Sequence, residues 1–453
     1  MTTLNTIGKG LAWNTVATTA GKIIMFANVF IILTRLSVYE YGLSQLVLSV
    51  ISIMGILLLP GLFSVLVADL ARERGQMNFM GMKSIFLDYV ALNVSLGLVA
   101  WAALFFGSSI VANVVGNQSI GFFLKIISFS FLLAPWRTVG ITLATVELRF
   151  LDQAFYSVLE EIAKMAYMLF LFYVLGQGVE GLFYAVVFSQ FTAIVLYIPR
   201  TMSAYRVFSH AQVSTRAFWR VLRDHRKWSI ASSYVGTLGQ TVQLWIIRLT
   251  LGTEAVGIFS FVDGISSQVA SLMPLGSILA PILPRYVTEK NKFNSLMRGA
   301  IKMQVVVAGI LICATFIGLP VLLYVFPKYS HAVPLLMVMI FILLPNSLIS
   351  IYTPAFAALQ EQFSLFVSST VKTLLIALLT PVGVALVGLP GIGLADVAIL
   401  SLSALERTWR FKRLVPTFKM SFRDFFKLEN TERELITHVW KRFSPTNILQ
   451  LFK

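Results

Sequence analysis

Long apolar stretches alternate with short polar breaks along nearly the whole chain. A hydrocarbon layer about 30 Å thick takes a helix of about 20 apolar residues. About twelve segments meet that condition. In the first half they run roughly 11–34, 43–66, 84–107, 119–144, 154–176 and 180–199, and in the second roughly 229–251, 256–283, 300–326, 332–357, 364–388 and 391–409. The pattern predicts an all-α polytopic membrane protein of about twelve transmembrane helices.

The pattern also occurs twice. Arg35 matches Arg248, Pro60 matches Pro274, and Arg72 matches Arg285. Gly181-Leu-Phe-Tyr-Ala-Val-Val-Phe-Ser189 matches Gly393-Leu-Ala-Asp-Val-Ala-Ile-Leu-Ser401, and all these pairs share an offset of about 213 residues. Like-oriented halves of this kind, with six predicted spans each, are a transporter pattern in which the halves rock against each other around a central site. The expected division is 1–212 for the first lobe, with a basic linker starting near 200, then 213–412 for the second lobe and 413–453 for a basic tail.

Composition narrows the class. The 453 residues are 57% hydrophobic and 12% charged, against about a quarter charged in soluble domains. A single soluble core and a disordered chain are both excluded. The one cysteine, Cys313, forms no disulfide within the chain, and His210, His225, His331 and His438 lie far apart, so no cofactor or metal is expected. The first apolar run is too long for a cleaved signal peptide and reads as a span.

Charge sets the orientation. With the N-terminus inside, the inner segments hold Arg72, Arg74, Lys83, Arg149, the stretch Arg200 to Lys227, the stretch Arg285 to Lys302, and the tail. The outer segments hold only Arg35, Arg248 and Lys328. This asymmetry predicts a multi-pass protein of the cytoplasmic membrane with both termini cytoplasmic. The net charge of +16 is then a topology signal and not a nucleic-acid footprint. In 214–227, Arg216, Arg220, Arg223 and Lys227 share a helical face, as expected of a helix on an anionic leaflet. In the tail, Thr431-Glu-Arg-Glu434 is a capping-box pattern before Leu435, Ile436, Val439, Trp440 and Phe443.

Ile31-Ile-Leu-Thr-Arg-Leu-Ser-Val-Tyr-Glu-Tyr-Gly42, Pro60-Gly-Leu-Phe-Ser-Val-Leu-Val-Ala-Asp-Leu-Ala-Arg72, Ile246-Ile-Arg-Leu-Thr-Leu-Gly-Thr-Glu-Ala-Val-Gly-Ile-Phe-Ser260 and Pro281-Ile-Leu-Pro284 together resemble polysaccharide flippases of the multidrug/oligosaccharidyl-lipid/polysaccharide exporter (MOP) superfamily. The resemblance covers roughly 8–412. It implies two six-helix lobes around a central cavity, alternating access, export of an oligosaccharide carried on a polyprenyl pyrophosphate, and no ATP hydrolysis. It also implies work alongside glycosyltransferases and a polysaccharide polymerase. Several family members carry an acid early in span seven, where this chain has Gln240-Thr-Val-Gln243. A coupling scheme resting on that acid does not transfer.

Ionisable groups inside the bilayer cost at least about 2.5–3.5 kcal/mol on insertion scales and normally face protein or water. Candidate contacts for an anionic headgroup are Lys22, Lys125, Lys372, Arg137 and Lys164. Lys22 leads because no acid lies within one helical turn. Candidate ion-coupling acids are Asp263 and Glu161. Plainer readings stand beside these. Glu160 and Lys164 are spaced to pair, Lys125 is placed to snorkel outward, Asp263 is placed to pair with Arg248, and Asp396 is placed to be solvated. Pro135, Pro274, Pro345, Pro354 and Pro381 are kink positions in or near spans.

Three functions follow. The first is a flippase of lipid-linked oligosaccharide repeat units. The second is a cation-coupled drug or metabolite antiporter, which an acidic cavity would suit better than these basic spans. The third is a membrane glycosyltransferase or polymerase, which needs a sizeable outer loop with catalytic acids. The outer loops here are short and nearly uncharged.

Overall fold

The computed structural model describes residues 21–212 and 227–418, apart from positions 60, 148, 274, 280, 281 and 288. The amphipathic stretch 214–227 and the tail helix near 431–443 lie almost wholly outside the described residues. The chain divides into two compact units, Met1–Ile230 and Ala231–Lys453.

In the first unit, α1 is described over 21–35, followed by α2 (Val38–Leu58), α3 (Phe79–Val115), α4 (Gln118–Val146), α5 (150–174) and α6 (Val179–Tyr205). The second series is α7 (Lys227–Leu251), which starts just before the unit boundary, then α8 (Thr253–Ala270), α9 (Lys290–Val325), α10 (Pro327–Ala358), α11 (Gln362–Val387) and α12 (Leu389–Leu414). Eight of these (α2, α3, α4, α6, α9, α10, α11 and α12) are long and apolar enough to cross a membrane. Large apolar side chains such as Phe106, Ile317 and Leu386 stand more than two-thirds exposed along them. An aqueous surface does not carry that much grease, whereas acyl chains cover it at no cost.

The six-helix order is the same in both units, and matched helices have closely similar lengths: 37 and 36 residues for α3 and α9, 27 and 26 for α6 and α12. Neighbours repeat as well. α5 packs on α6 and α4 on α6, and likewise α11 on α12 and α10 on α12. α3 and α9 begin at Phe79 and Lys290, five and ten residues before the predicted spans, because their polar first turns project past the apolar run.

Local signals explain the breaks. Ser37 opens α2 with a capping box: its hydroxyl accepts from the Glu40 amide at 3.2 Å, and Glu40 Oε2 accepts from the Ser37 amide at 2.8 Å. The acidic residue of the sequence motif thus starts a helix. α2 stops at Leu58, with Leu59 left-handed at φ 51°, and a new helix runs over Gly61–Gly75. α8 likewise stops at Ala270 before a short helix at Leu275–Leu279. The matched prolines Pro60 and Pro274, which lie between these helices in sequence, are outside the described residues. Where α11 meets α12, Gly383 and Gly391 lie backbone to backbone, and a Cβ on either would run into the other's carbonyl.

Each unit has an aromatic-rich core at the end bearing basic residues. One gathers Leu70, Phe86 and Phe208, and the other Phe293, Phe356 and Phe411. Nearby ties are also repeated. Lys83 Nζ donates to the carbonyls of Ser209 (2.5 Å) and Ala211 (2.8 Å), and Asn294 donates to the Thr417 hydroxyl at 3.0 Å.

The buried register of α6 and α12 refines the repeat. Buried positions recur every fourth residue at Gly181, Ala185, Ser189, Ala193 and Tyr197, and at Gly391, Ala395, Ile399, Ser403 and Arg407. Gly181 therefore corresponds to Gly391, two residues from the match suggested by the sequence.

Candidate functional site

In the first unit, three helices bring charged groups together. Arg137 on α4 pairs with Glu160 on α5, with Nε to Oε2 at 2.9 Å. Lys164 pairs with Glu161 at 2.7 Å, within α5. From α1, the buried Asn28 donates to Glu161 Oε2 at 2.7 Å and to the Glu161 carbonyl at 3.1 Å. The pairing expected between Glu160 and Lys164 is therefore exchanged. Glu160 is drawn across to Arg137, and Lys164 takes the acid three residues back. Glu161 carries a matched charge, and so do Arg137 and Lys164.

Lys22 stands exposed near the described start of α1. Lys125 is exposed on the face of α4 that also exposes Phe122 and Phe129, at 52% and 42%. That is the surrounding a snorkelling lysine has: an aromatic outer face with the ammonium reaching past it.

The second unit gathers Asp263 on α8, Lys372 on α11 and Asp396 on α12, which interact electrostatically with one another. Gln243 on α7 donates its amide to Asp396 Oδ1 at 2.5 Å. Four helices thus supply one polar cluster, in which Gln243 is buried, Lys372 and Asp396 are half-buried and Asp263 is exposed. Two expectations change here. Asp396 is a partly buried hydrogen-bond acceptor, because Gln243 reaches it from α7. Asp263 makes no pair with Arg248 among the described residues; Lys372 and Asp396 are the charges it feels. Gln243, noted in the sequence only as a departure from an acid, is the group that satisfies Asp396.

Sequence reading passed over two buried cations. Lys302 was grouped with the inner loops but is 7% exposed, well inside α9. Arg407 is 8% exposed in α12, with Nη1 donating to Thr353 Oγ1 at 2.5 Å. Both fall within the predicted spans 300–326 and 391–409, but each adjoins a basic stretch that reads as a helix flank.

Among the described residues, no group of histidines, cysteines and acids is arranged to hold a metal ion. The clusters place charged groups among apolar helices, with Arg137 and Asp263 exposed and the rest half-buried.

A family model described as polysaccharide biosynthesis protein matches residues 7–287. No curated protein sequence matches the chain. In fold, the chain is similar to an inward-facing multidrug resistance MATE family transporter of the MOP superfamily: TM-score 0.72 at 15% identity, covering 89% of this chain and 98% of that one. It is similar to an outward-facing structure of that kind at TM-score 0.65 and 15% identity, covering 91% and 97%. It is also similar to a MOP superfamily transporter from Pyrococcus furiosus, at TM-score 0.64 and 15% identity, covering 92% and 95%. The repeated six-helix bundles, the internal charges and these likenesses agree: the chain belongs to the polysaccharide biosynthesis protein family and has the fold of the MOP superfamily transporters.

Proposed function

We propose that this transporter flips lipid-linked oligosaccharide repeat units across the cytoplasmic membrane by alternating access. The observation that carries this reading is the family match over residues 7–287, and the charge balance inside the helices supports it. Seven cations (Lys22, Lys125, Lys372, Arg137, Lys164, Lys302 and Arg407) stand in these helices against six acids (Asp88, Glu160, Glu161, Asp263, Asp396 and Glu406), a surplus of one. An anionic pyrophosphate gains from such a surplus, whereas a cationic drug is repelled by it. The flanks of the helices are basic at one end, which supports both termini facing the cytoplasm.

Of the five candidate contacts, Lys372 stands first: Asp396 and Asp263 act on it electrostatically, but it makes no direct ion pair among the described residues, and the exposed Lys22 stays a candidate. Arg137 and Lys164 are each spoken for by a carboxylate, so substrate contact there has to displace an ion pair. Lys125 reads as an interfacial anchor. For ion coupling, Asp263 stands ahead of Glu161, whose charge Lys164 already balances.

The likeness to multidrug transporters keeps a second reading, in which Asp263 and Asp396 serve coupled antiport of a cationic compound. Cells lacking the protein separate the two. The flippase reading expects surface polysaccharide to vanish and lipid-linked repeat units to accumulate on the inner leaflet. Normal surface polysaccharide together with raised sensitivity to cationic dyes would replace it with the antiporter reading.

A further inference from the structure

Arg407 occupies a core position that packing alone does not explain. At the corresponding place in α6 stands Tyr197, also buried, whose ring meets that of Tyr156 edge to face at 4.9 Å. That crossing shows what the bundle needs there: a large apolar body. The second unit instead buries a guanidinium.

It makes no direct ion pair among the described residues, and the one carboxylate that acts on it electrostatically is the adjacent Glu406. The neighbouring acid, Glu406, is used on both oxygens: Oε2 accepts from Ser368 Oγ at 2.7 Å, and Oε1 accepts from Arg410. The Lys372 ammonium lies within electrostatic range and adds a second positive charge. Arg407 Nε is buried with no acceptor. Only Nη1 is occupied, by the hydroxyl of Thr353, and Thr353 itself is exposed. A buried cation holding one neutral hydrogen bond is expensive to keep, and a planar fork with idle donors is suited to an oxyanion.

We propose that Arg407 is the anchor of an oxyanion site in the second unit, between α10 and α12, entered from the Thr353 side and taking a phosphate or pyrophosphate group. This rests on the flippase reading for its physiological ligand, the pyrophosphate of the lipid carrier. Thr353 is a placeholder: its hydroxyl occupies Nη1 until the anion displaces it. Lys372 is itself faced by Asp396 and Asp263, so the attraction comes from Arg407, whose neighbour Glu406 is drawn to Ser368 and Arg410.

The test uses the full-length purified protein with inorganic pyrophosphate, measured by calorimetry in detergent. Wild-type protein binds, R407Q weakens binding roughly tenfold or more, and R407K falls between, since it keeps the charge and loses the fork. T353A binds pyrophosphate as well as wild type or better, because only the placeholder is gone. A purely structural strut predicts that neither R407Q nor R407K changes anion binding. Equal pyrophosphate binding by wild type and R407Q, or no binding by wild type, overturns the proposal. Should R407Q fail to fold, the comparison of T353A with R407K still decides. The same variants in a glycolipid-flipping assay keep the two readings apart. Flipping undiminished in R407Q sinks the Arg407 site and spares the flippase. Arg407-dependent pyrophosphate binding by a protein that flips nothing sinks the flippase and spares the site.

Discussion

The contact between Gln243 and Asp396 gives the sharpest test of the second unit's polar cluster. The two residues come from α7 and α12, and the amide nitrogen sits 2.5 Å from the carboxylate. Gln243 is 8% exposed, so water does not replace the bond when it is cut. Interhelical hydrogen bonds in membrane proteins average about 0.6 kcal/mol in double-mutant cycles and reach about 1.7. A bond to an ionised group is about twice as strong as a neutral one. The expected coupling is therefore about 1–2 kcal/mol. The perturbation is Gln243→Leu, Asp396→Leu and the double variant, each unfolded reversibly in mixed micelles and followed by circular dichroism. The double variant should be more stable than the sum of the single losses predicts, by that coupling. Additive losses, with coupling below about 0.3 kcal/mol, would refute the assignment of Gln243 as the partner of Asp396.

Other outcomes follow from the same geometry. Gly391→Ala drives a methyl into the Gly383 carbonyl and should cost about 1–3 kcal/mol. Gly264→Ala, which meets nothing within 4 Å, should be near neutral in the same unfolding assay. Lys164→Met leaves Glu161 charged inside the helix bundle and should lower stability by about 3 kcal/mol, while adding Glu161→Gln should restore much of the loss; equal stability of the single and double variants would contradict the pairing. Lys125→Met should leave glycolipid flipping intact, and Lys372→Met should slow it roughly tenfold. The reverse ranking would move the substrate path to the Lys125 face.

The twofold architecture was legible because it rests on apolar length, which a bilayer imposes on sequence directly. The helix ends were less legible, because α3 and α9 carry polar first turns beyond the apolar run. Lys302 lies inside the predicted span 300–326 but reads with the adjoining basic stretch from Arg285, whereas it is buried in α9. Partners were the hardest to read. Glu160 is four residues from Lys164 in sequence, yet it binds Arg137 on another helix. Periodicity within one helix carries no information about which neighbour stands opposite. Arg407 was concealed differently: it opens the basic run Arg407, Arg410, Lys412 and Arg413, which reads as a helix flank, yet it is 8% exposed. Gln243 was visible, but its meaning depended on a carboxylate far along the chain.

Translocation by the purified protein tests the central claim most directly. Proteoliposomes would carry a fluorescent polyprenyl-pyrophosphoryl oligosaccharide, and a membrane-impermeant quencher would report its leaflet. Protein-dependent transfer of the glycolipid, without ATP, is the predicted result. A glycolipid that stays in its original leaflet while the same vesicles transport a cationic dye would contradict the account.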